Sequence, residues 1–102
     1  MDIRQLKYFQ AIAEEGQISK AAKRLNMAQP PLSQQLKMLE GELGVTLVER
    51  GPRNITLTEA GRLLLERAVQ ILELTKATTN ELQDLNSGVN GTLSIGAVAS
   101  SG

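Results

Sequence analysis

The chain has 102 residues, a length that suits one small domain with an appended segment. It contains no cysteine and no histidine, which excludes a disulfide framework, a thiolate metal site and a histidine general base. The charges of eleven basic and eleven acidic residues cancel, yet residues 16–39 contain four basic residues and no acidic one. Because the positive charge is local, a polyanion partner is compatible with the neutral net charge.

Two helices are predicted in the first 25 residues. Residues 2–15 repeat apolar side chains at helical spacing, and Gly16 ends the run. A shorter helix is predicted over about 18–25, with Ser19 as a candidate N-cap. Asn26 lies where a left-handed C-terminal cap is expected.

A third helix is predicted over 30–43, beginning at the adjacent prolines of the run AQPPLSQQL. Proline loses no hydrogen bond at the start of a helix, and Gln29, which precedes a proline, is expected to be extended and to act as the N-cap. One face of this helix is leucine-rich and Gly44 closes it, the apolar positions being Leu32, Leu36, Leu39 and Leu43.

A hairpin and a long helix are predicted next. Two β-leaning runs, 45–50 and 55–57, flank a Gly-Pro turn, and Thr58 is expected to cap a helix over 59–88. A helix of this length needs a partner, for which a second copy is predicted. The predicted dimerisation residues step by four and three along this helix and are Leu64, Ala68, Ile71, Thr75, Thr78, Leu82 and Leu85.

The last residues indicate a second domain that is cut short. Residues 92–96 alternate like a strand after the Asn90-Gly91 turn signal, and a single strand is not stable alone. Residues 89–102 are therefore predicted to be a hinge and the first strand of a second, truncated domain. Neither a signal peptide nor a membrane-spanning stretch is recognisable, so a cytoplasmic protein without a membrane partner is expected.

The order of elements is that of a winged helix-turn-helix domain over 1–58, with the helix-turn-helix at about 18–37. If the leucines of the third helix face inward, its opposite face carries polar side chains that can enter a major groove. Glutamine can pair with adenine, serine with several bases, and a proline edge with a thymine methyl group. The residues predicted from this face to contact bases are Pro30, Ser33 and Gln34, together with the adjacent Pro31.

Other side chains are predicted to contact the DNA backbone or the minor groove, namely Ser19, Lys20, Lys23, Arg24, Lys37 and, at the hairpin tip, Arg53. The alternative is that such residues are simply solvated and contact no DNA. For Lys20, Lys23 and Arg24 of the second helix, both interpretations stay open. Arg50 is expected to hold the hairpin base through an acid or a carbonyl, Glu40 to be structural, and Gly61 to allow close packing.

A set of motifs runs without a gap over residues 1 to about 61. It comprises Leu6-x-x-Phe9, Ser19-x-Ala21-Ala22-x-x-Leu25, Gln29-Pro30-x-Leu32-Ser33-x-Gln35-Leu36-x-x-Leu39-Glu40, Leu43-Gly44, Leu47-x-x-Arg50 and Ile55-x-Leu57-Thr58-x-Ala60-Gly61. In these motifs the sequence resembles the N-terminal region of LysR-type transcriptional regulators.

The resemblance implies a mainly α fold, in which a winged helix-turn-helix of three helices and a two-stranded wing precedes a long dimerisation linker helix. It implies double-stranded promoter DNA with dyad symmetry as the partner. By position, the resemblance also implies base contact by Gln29 beside Pro30, Ser33 and Gln34, with Arg53 on the wing. It also implies a homodimer through the linker and a tetramer in the full-length protein. No cofactor is expected in these residues, whereas a small-molecule inducer is expected for the missing C-terminal domain.

Two other function classes are disfavoured by the residues. A winged helix that binds another protein should present a more apolar surface than this basic second helix and polar third helix. An enzyme is disfavoured because there is no histidine, no cysteine and no phosphate-binding glycine-rich loop, and because Glu14 and Glu15 lie on adjacent helix faces.

Overall fold

A computed structural model describes residues 1–91, with side chains described as far as Asn86. Two compact units are present, Met1–Leu72 and a second that begins at Glu73. The elements in chain order are α1 (Ile3–Glu15), α2 (Ile18–Arg24), α3 (Gln29–Leu43), β1 (Val48–Arg50), β2 (Ile55–Leu57) and α4 (Glu59–Gly91). Four helices and one antiparallel hairpin confirm the predicted winged helix-turn-helix fold. No helix within residues 1–91 has the length and apolarity needed to cross a membrane.

The ends of α1 are capped from within its own sequence. The backbone N–H of Gln5 donates to Asp2 Oδ1 at 2.8 Å, and the Gln5 side chain accepts from the backbone N–H of Asp2, which completes a capping box. Gly16 ends the helix at a φ of +73°, a backbone conformation that glycine adopts without steric cost. The predicted helix 2–15 and its stop are confirmed.

The turn between α2 and α3 is a Schellman motif. Asn26 has a φ of +57°, its N–H donates to the Lys23 carbonyl, and the N–H of Met27 donates to the Ala22 carbonyl. The predicted left-handed position of Asn26 is confirmed. Ser19, in contrast, lies inside the first turn of α2, because Gln17 has the extended backbone of the N-cap position.

The two prolines lie in the first turn of α3, which begins one residue earlier than predicted. Ala28 is the extended N-cap residue, with a ψ of 156°, so Gln29 is already helical and the prediction that it caps the helix is wrong. The first four N–H groups of a helix have no intrahelical acceptor, so neither proline removes a helical hydrogen bond. Gly44 closes the helix as predicted, at a φ of +69°.

The hairpin pairs Val48 with Leu57 and Arg50 with Ile55, so its first strand is shorter than the predicted run 45–50. Residues 45 and 46 do not join the ladder, because the chain there is still leaving α3 and the Val45 N–H donates to the Glu40 carbonyl. The predicted cap of α4 is confirmed, since Thr58 Oγ1 accepts from the N–H of Gly61 at 3.0 Å.

The core of the first unit is aliphatic apart from one aromatic ring. Its largest fully buried side chains come from α1, from α3 and from the residue before β1, and are Phe9, Leu6, Ile12, Leu32, Leu39 and Leu47. Of the four leucines predicted to face inward from α3, Leu43 is an exception and is 39% exposed. It lies in the last helical turn, where the chain turns away at Gly44.

The long helix does not end at Gly88 but continues to Gly91, so Asn90 and Gly91 are the last two residues of the described helix. A glycine inside a helix costs only about 1 kcal/mol, which a long helix tolerates. The predicted strand at 92–96, and with it most of the predicted hinge at 89–102, lies outside the described residues.

Candidate nucleic-acid interface

The first turns of α3 present the residues predicted from the sequence to contact bases. Burial of Leu32, Leu36 and Leu39 against the core fixes the rotation of the helix, so the opposite face points outward. The outward positions are all exposed except for Ser33, which is half-buried, and they are Gln29, Pro30, Pro31, Ser33, Gln34 and Lys37. The major groove of DNA is wide enough to admit an α-helix, so this outward face can approach the base edges.

A side-chain hydrogen bond holds the wing, residues 48–57, to the outward face of α3. Arg50, the last residue of β1, donates from Nη2 to Ser33 Oγ at 2.8 Å. The prediction that Arg50 binds an acid or a carbonyl is wrong, since its partner is a hydroxyl on the outward face of α3. The motif Leu47-x-x-Arg50 signals the arginine, but nothing local in the sequence indicates Ser33 as its partner.

A second attachment holds the other strand of the wing. The backbone N–H of Ile55 donates to the Gly16 carbonyl, and Gln17 Nε2 donates to Asn54 Oδ1, both at 2.8 Å. The wing is therefore fixed to the α1–α2 turn as well as to α3. Gln17 and Asn54 were not predicted as functional residues, because amide side chains far apart in sequence carry no spacing signal.

The base of the wing is held by a carboxylate. Glu40 Oε2 accepts from the backbone N–H groups of Leu47 at 2.7 Å and Val48 at 3.3 Å. These bonds satisfy two donors where the chain enters the core, since Leu47 is 1% exposed and Val48 is 6% exposed. The predicted structural role of Glu40 is confirmed.

An open groove of about 490 Å³ lies between α2, α3 and the wing tip. Five of the predicted DNA-contacting residues line it together with Arg50, namely Ser19, Gln29, Pro30, Ser33 and Arg53. The other predicted residues do not line the groove: Pro31, Gln34, Lys20, Lys23, Arg24 and Lys37 are exposed outside it. The structure thus brings the wing arginine and the start of α3 to one concave surface.

The cations of α2 differ in their surroundings. Arg24 pairs through Nη1 with Glu14 at 2.7 Å and with Glu15 at 3.3 Å, and these carboxylates raise the pKa of its guanidinium. Hydrogen bonds from the side chains of Gln10 and Arg24 lower the pKa of Glu14. Within residues 1–86, Lys20 and Lys23 have no ion pair. A phosphate would therefore have to compete with two carboxylates for Arg24 but not for the lysines.

The predicted dimerisation residues fall into two groups. Ala68 is fully buried inside the first unit and Leu64 packs against its core, so these two positions serve the fold of one chain. Farther along, Leu82 is 61% exposed and Leu85 is 66% exposed. Thr78, also exposed, donates its hydroxyl to the Leu74 carbonyl at 2.7 Å, which satisfies its polar group within the helix. Of the predicted dimerisation residues, the apolar ones that are exposed are thus Leu82 and Leu85.

No group of three or more metal-ligating side chains is found among the described residues. Two of the positively charged side chains predicted to contact DNA, Lys37 on α3 and Arg53 at the wing tip, are exposed and have no ion pair in this part of the chain. The surface around the groove is therefore suited to a polyanion more than to a cation.

The sequence profile of the family described as bacterial regulatory helix-turn-helix protein, lysR family, matches residues 3–62. The HTH-type transcriptional regulator BsdA of Bacillus subtilis (strain 168) is 52% identical over 98 residues, which cover 95% of this chain and 34% of BsdA. The chain thus spans about a third of the length of that relative.

Solved structures of similar chains include DNA complexes. The crystal structure of the CbnR_DBD–DNA complex has a TM-score of 0.82 and 48% sequence identity, covering 84% of this chain and 99% of that chain. The BenM_DBD complex with catB site 1 DNA has a TM-score of 0.84 and 40% identity, covering 86% of this chain and 98% of that chain. The described fold is thus the fold of domains that were crystallised on DNA.

Proposed function

The chain belongs to the lysR family of bacterial regulatory helix-turn-helix proteins, and from this we propose that it binds a specific double-stranded promoter sequence as the DNA-binding part of a transcriptional regulator. The observation that carries the proposal is the groove between α2, α3 and the wing. It places the start of α3 beside a wing arginine, on a surface where Lys37 and Arg53 have no ion pair with any described residue. The DNA complexes of CbnR_DBD and BenM_DBD support the same assignment.

Base recognition is proposed for the first turns of α3. Gln34 is exposed, and its amide has the donor and acceptor needed to bind adenine N7 and N6 in the major groove. Pro30 and Pro31 offer apolar edges to a thymine methyl group. Gln29 and Ser33 line the groove beside them and complete the proposed set.

Backbone contact is proposed for the cations around this helix. Lys20, Lys23 and Lys37 are exposed and would bind phosphates, which sets the register of the protein on the duplex without reading sequence. Arg53 at the wing tip would reach the adjacent minor groove, where a guanidinium is attracted by the negative potential. Arg24 is the weakest member of this set because Glu14 and Glu15 already bind it.

A homodimer through α4 is part of the proposal. Exposed leucines on the part of α4 after residue 72 would lose their contact with water in a paired helix, and each buried side chain contributes about 1.5–3 kcal/mol. Paired chains would bind two inverted half-sites. In the full-length protein a tetramer and a small-molecule inducer, bound by a C-terminal domain, are proposed on the family resemblance alone.

Catalysis is not proposed for this chain. The curated relatives that it resembles, such as BsdA, are regulators, and the sequence has neither histidine nor cysteine. A cytoplasmic location follows from the proposed partner, since promoter DNA in bacteria is cytoplasmic.

Selection from a random pool of duplex DNA at physiological salt would test the proposal, with sequencing of the retained fragments. Two inverted half-sites at a fixed spacing are the expected result for a protein that binds DNA as a dimer. One half-site alone would retain the role of α3 and remove the dimer. Absence of any enriched sequence would favour a winged helix that binds another protein, a function for which Ser33 and Gln34 would be dispensable.

A further inference from the structure

Ser33 lies on the face of α3 that is proposed to contact bases, and its side chain is hydrogen-bonded to the wing. Its Oγ accepts a hydrogen bond from Arg50 Nη2 at 2.8 Å, and among the described residues this is its one side-chain hydrogen bond. A serine hydroxyl has two acceptor lone pairs and one proton to donate. The arginine occupies one lone pair, and the proton of the hydroxyl remains available for a ligand.

The position of Arg50 is itself constrained. Arg50 pairs with Ile55 across the hairpin, and the N–H of Ile55 donates to the Gly16 carbonyl at 2.8 Å. The Gln17–Asn54 hydrogen bond holds the same end of the wing. The guanidinium therefore reaches Ser33 from a strand that is anchored elsewhere, so little of its freedom is left to be lost when a ligand binds.

We infer that Arg50 is a specificity-determining positioning residue that orients the Ser33 hydroxyl as a hydrogen-bond donor toward the DNA bases. The inference rests on the proposed function, because it assigns a base preference to a side chain of the proposed reading face. Ser33 is the residue that contacts the base, and Arg50 acts through it.

The consequence is a preference for base edges that accept hydrogen bonds. Guanine offers N7 and O6 in the major groove, adenine N7 and thymine O4, whereas the exposed polar group of cytosine is an amino donor. An amino group directed at Ser33 Oγ would carry partial positive charge toward the guanidinium bound there. Cytosine is therefore the base that this arrangement rejects, whereas a serine without Arg50 can accept as readily as it donates.

An alternative role for Arg50 is direct contact with a DNA phosphate, since its side chain is exposed and lines the groove. The two roles differ in what they predict. A phosphate contact contributes equally to every sequence and to the salt dependence of binding. A positioning role changes the preference at one base position and disappears when Ser33 has no hydroxyl.

The test is a double-mutant cycle on the preferred half-site, in which the base pair facing Ser33 is replaced by each of the other three. Dissociation constants are measured for the wild type, Ser33→Ala, Arg50→Met and the double variant. Methionine keeps an unbranched apolar stem and removes the charge and the donors. We expect Arg50→Met to reduce discrimination against cytosine at this position by about 2- to 10-fold, the size of one hydrogen bond. In the Ser33→Ala background the same substitution should leave the base preference unchanged.

Three further variants keep the result interpretable. Arg53→Met removes the same charge from the wing tip and should weaken all sequences while the base preference at the Ser33 position stays intact. Arg50→Lys keeps a charged donor and Ser33→Thr keeps the hydroxyl, so both should retain part of the discrimination. Urea unfolding of each variant verifies that the fold is preserved.

Two results would overturn the inference and leave the proposed function standing. One is an unchanged base preference in Arg50→Met. The other is a uniform loss of affinity for all sequences, equal with and without the Ser33 hydroxyl, which would assign Arg50 to phosphate contact. A wild-type chain without any preferred sequence would instead overturn the proposed function, and this inference with it.

Discussion

Gly61 lies directly against the main chain at Leu47. A Cβ at position 61 would be 2.1 Å from the Leu47 carbonyl oxygen and 3.1 Å from its carbonyl carbon. The same carbonyl accepts from the N–H of Thr58 at 3.0 Å, so the start of α4 is bound to the entry of the wing. A backbone oxygen cannot move aside like a flexible side chain, so only glycine fits at this contact.

Gly61→Ala should therefore destabilise the domain although alanine is the better helix former. We expect the free energy of unfolding to fall by about 1–3 kcal/mol, the usual cost of overpacking. Gly41→Ala is the matched control, because Gly41 is exposed in α3 with nothing within 4 Å of an added Cβ. That variant should gain about 0.5–1 kcal/mol. Urea unfolding of both proteins checks the two signs, and equal changes would contradict the role of Gly61.

Removal of the Glu40 carboxylate should loosen the wing. Glu40→Ala leaves the N–H groups of Leu47 and Val48 without their acceptor, and hydrogen bonds to charged groups contribute about 1.5–3 kcal/mol each. Since both bonds share one oxygen, we expect a loss of about 2–3 kcal/mol in unfolding free energy. Glu40→Gln, which keeps one carbonyl oxygen, should lose less. Glu49→Gln, on the exposed side of β1, should stay within about 0.5 kcal/mol of the wild type. Amide hydrogen exchange at residues 47 and 48 should accelerate only in the Glu40 variants.

Stability should depend on acid pH through Glu14. Hydrogen bonds from the Gln10 side chain, and then from Arg24, hold the pKa of Glu14 below its ordinary value of 4.5. The unfolded chain protonates the Glu14 carboxylate more readily than the folded chain does. The contribution of Glu14 to the free energy of unfolding is therefore complete above about pH 4.5 and disappears as the pH falls through the folded-state pKa. Both side chains of the ion pair are 40% exposed, so screening by solvent limits the effect to less than about 1 kcal/mol.

The measurement is the unfolding free energy of the wild type and Glu14→Gln at about pH 7 and about pH 3. Their difference should be smaller at the lower pH than at the higher one, because protonation of Glu14 removes the contribution. Arg24→Gln should shrink this difference without removing it, because Gln10 still donates to the carboxylate at 3.0 Å. A difference that grew toward acid pH would contradict the assignment.

Gln34→Ala and Lys20→Ala should affect DNA binding in different ways. Loss of the Gln34 amide should relax the preference at one base position and cost about 1–3 kcal/mol on the preferred site. Loss of the Lys20 charge should weaken all sequences alike and reduce the slope of log affinity against log salt by about 0.9. Titrations of preferred and scrambled duplexes at several salt concentrations separate the two. Equal weakening of every duplex by Gln34→Ala would remove it from the base-reading set.

Self-association should depend on the exposed leucines of the second unit. Leu82→Asp places a charge on the predicted seam, where pairing would desolvate it, so the dimer dissociation constant should rise by at least about tenfold. Asn80→Asp adds the same charge at an exposed position on the opposite side of the helix and is the matched control. Sedimentation equilibrium of the two variants checks this prediction. Identical behaviour of both variants would argue against a seam through Leu82.

Local sequence patterns determine much of the secondary structure of this chain. The stop at Gly16, the left-handed Asn26, the Thr58 cap and the inward leucines of α3 depend on residues at most a few positions apart, so spacing alone indicates them. The outward face of α3 follows from the inward one, which is why the predicted base-contacting residues are exposed apart from the half-buried Ser33.

Only the tertiary structure decided which residues meet across the chain. Arg50 binds Ser33, 17 positions away, and Gln17 binds Asn54, 37 positions away, and no local periodicity encodes either pair. It likewise assigned Arg24 to Glu14 and Glu15, and Ala68 to the interior of its own chain. A side chain with several possible partners takes the one that packing places within reach. The sequence thus determined the elements and their faces, whereas the packing of α1, α3 and the wing decided how the proposed reading surface is held.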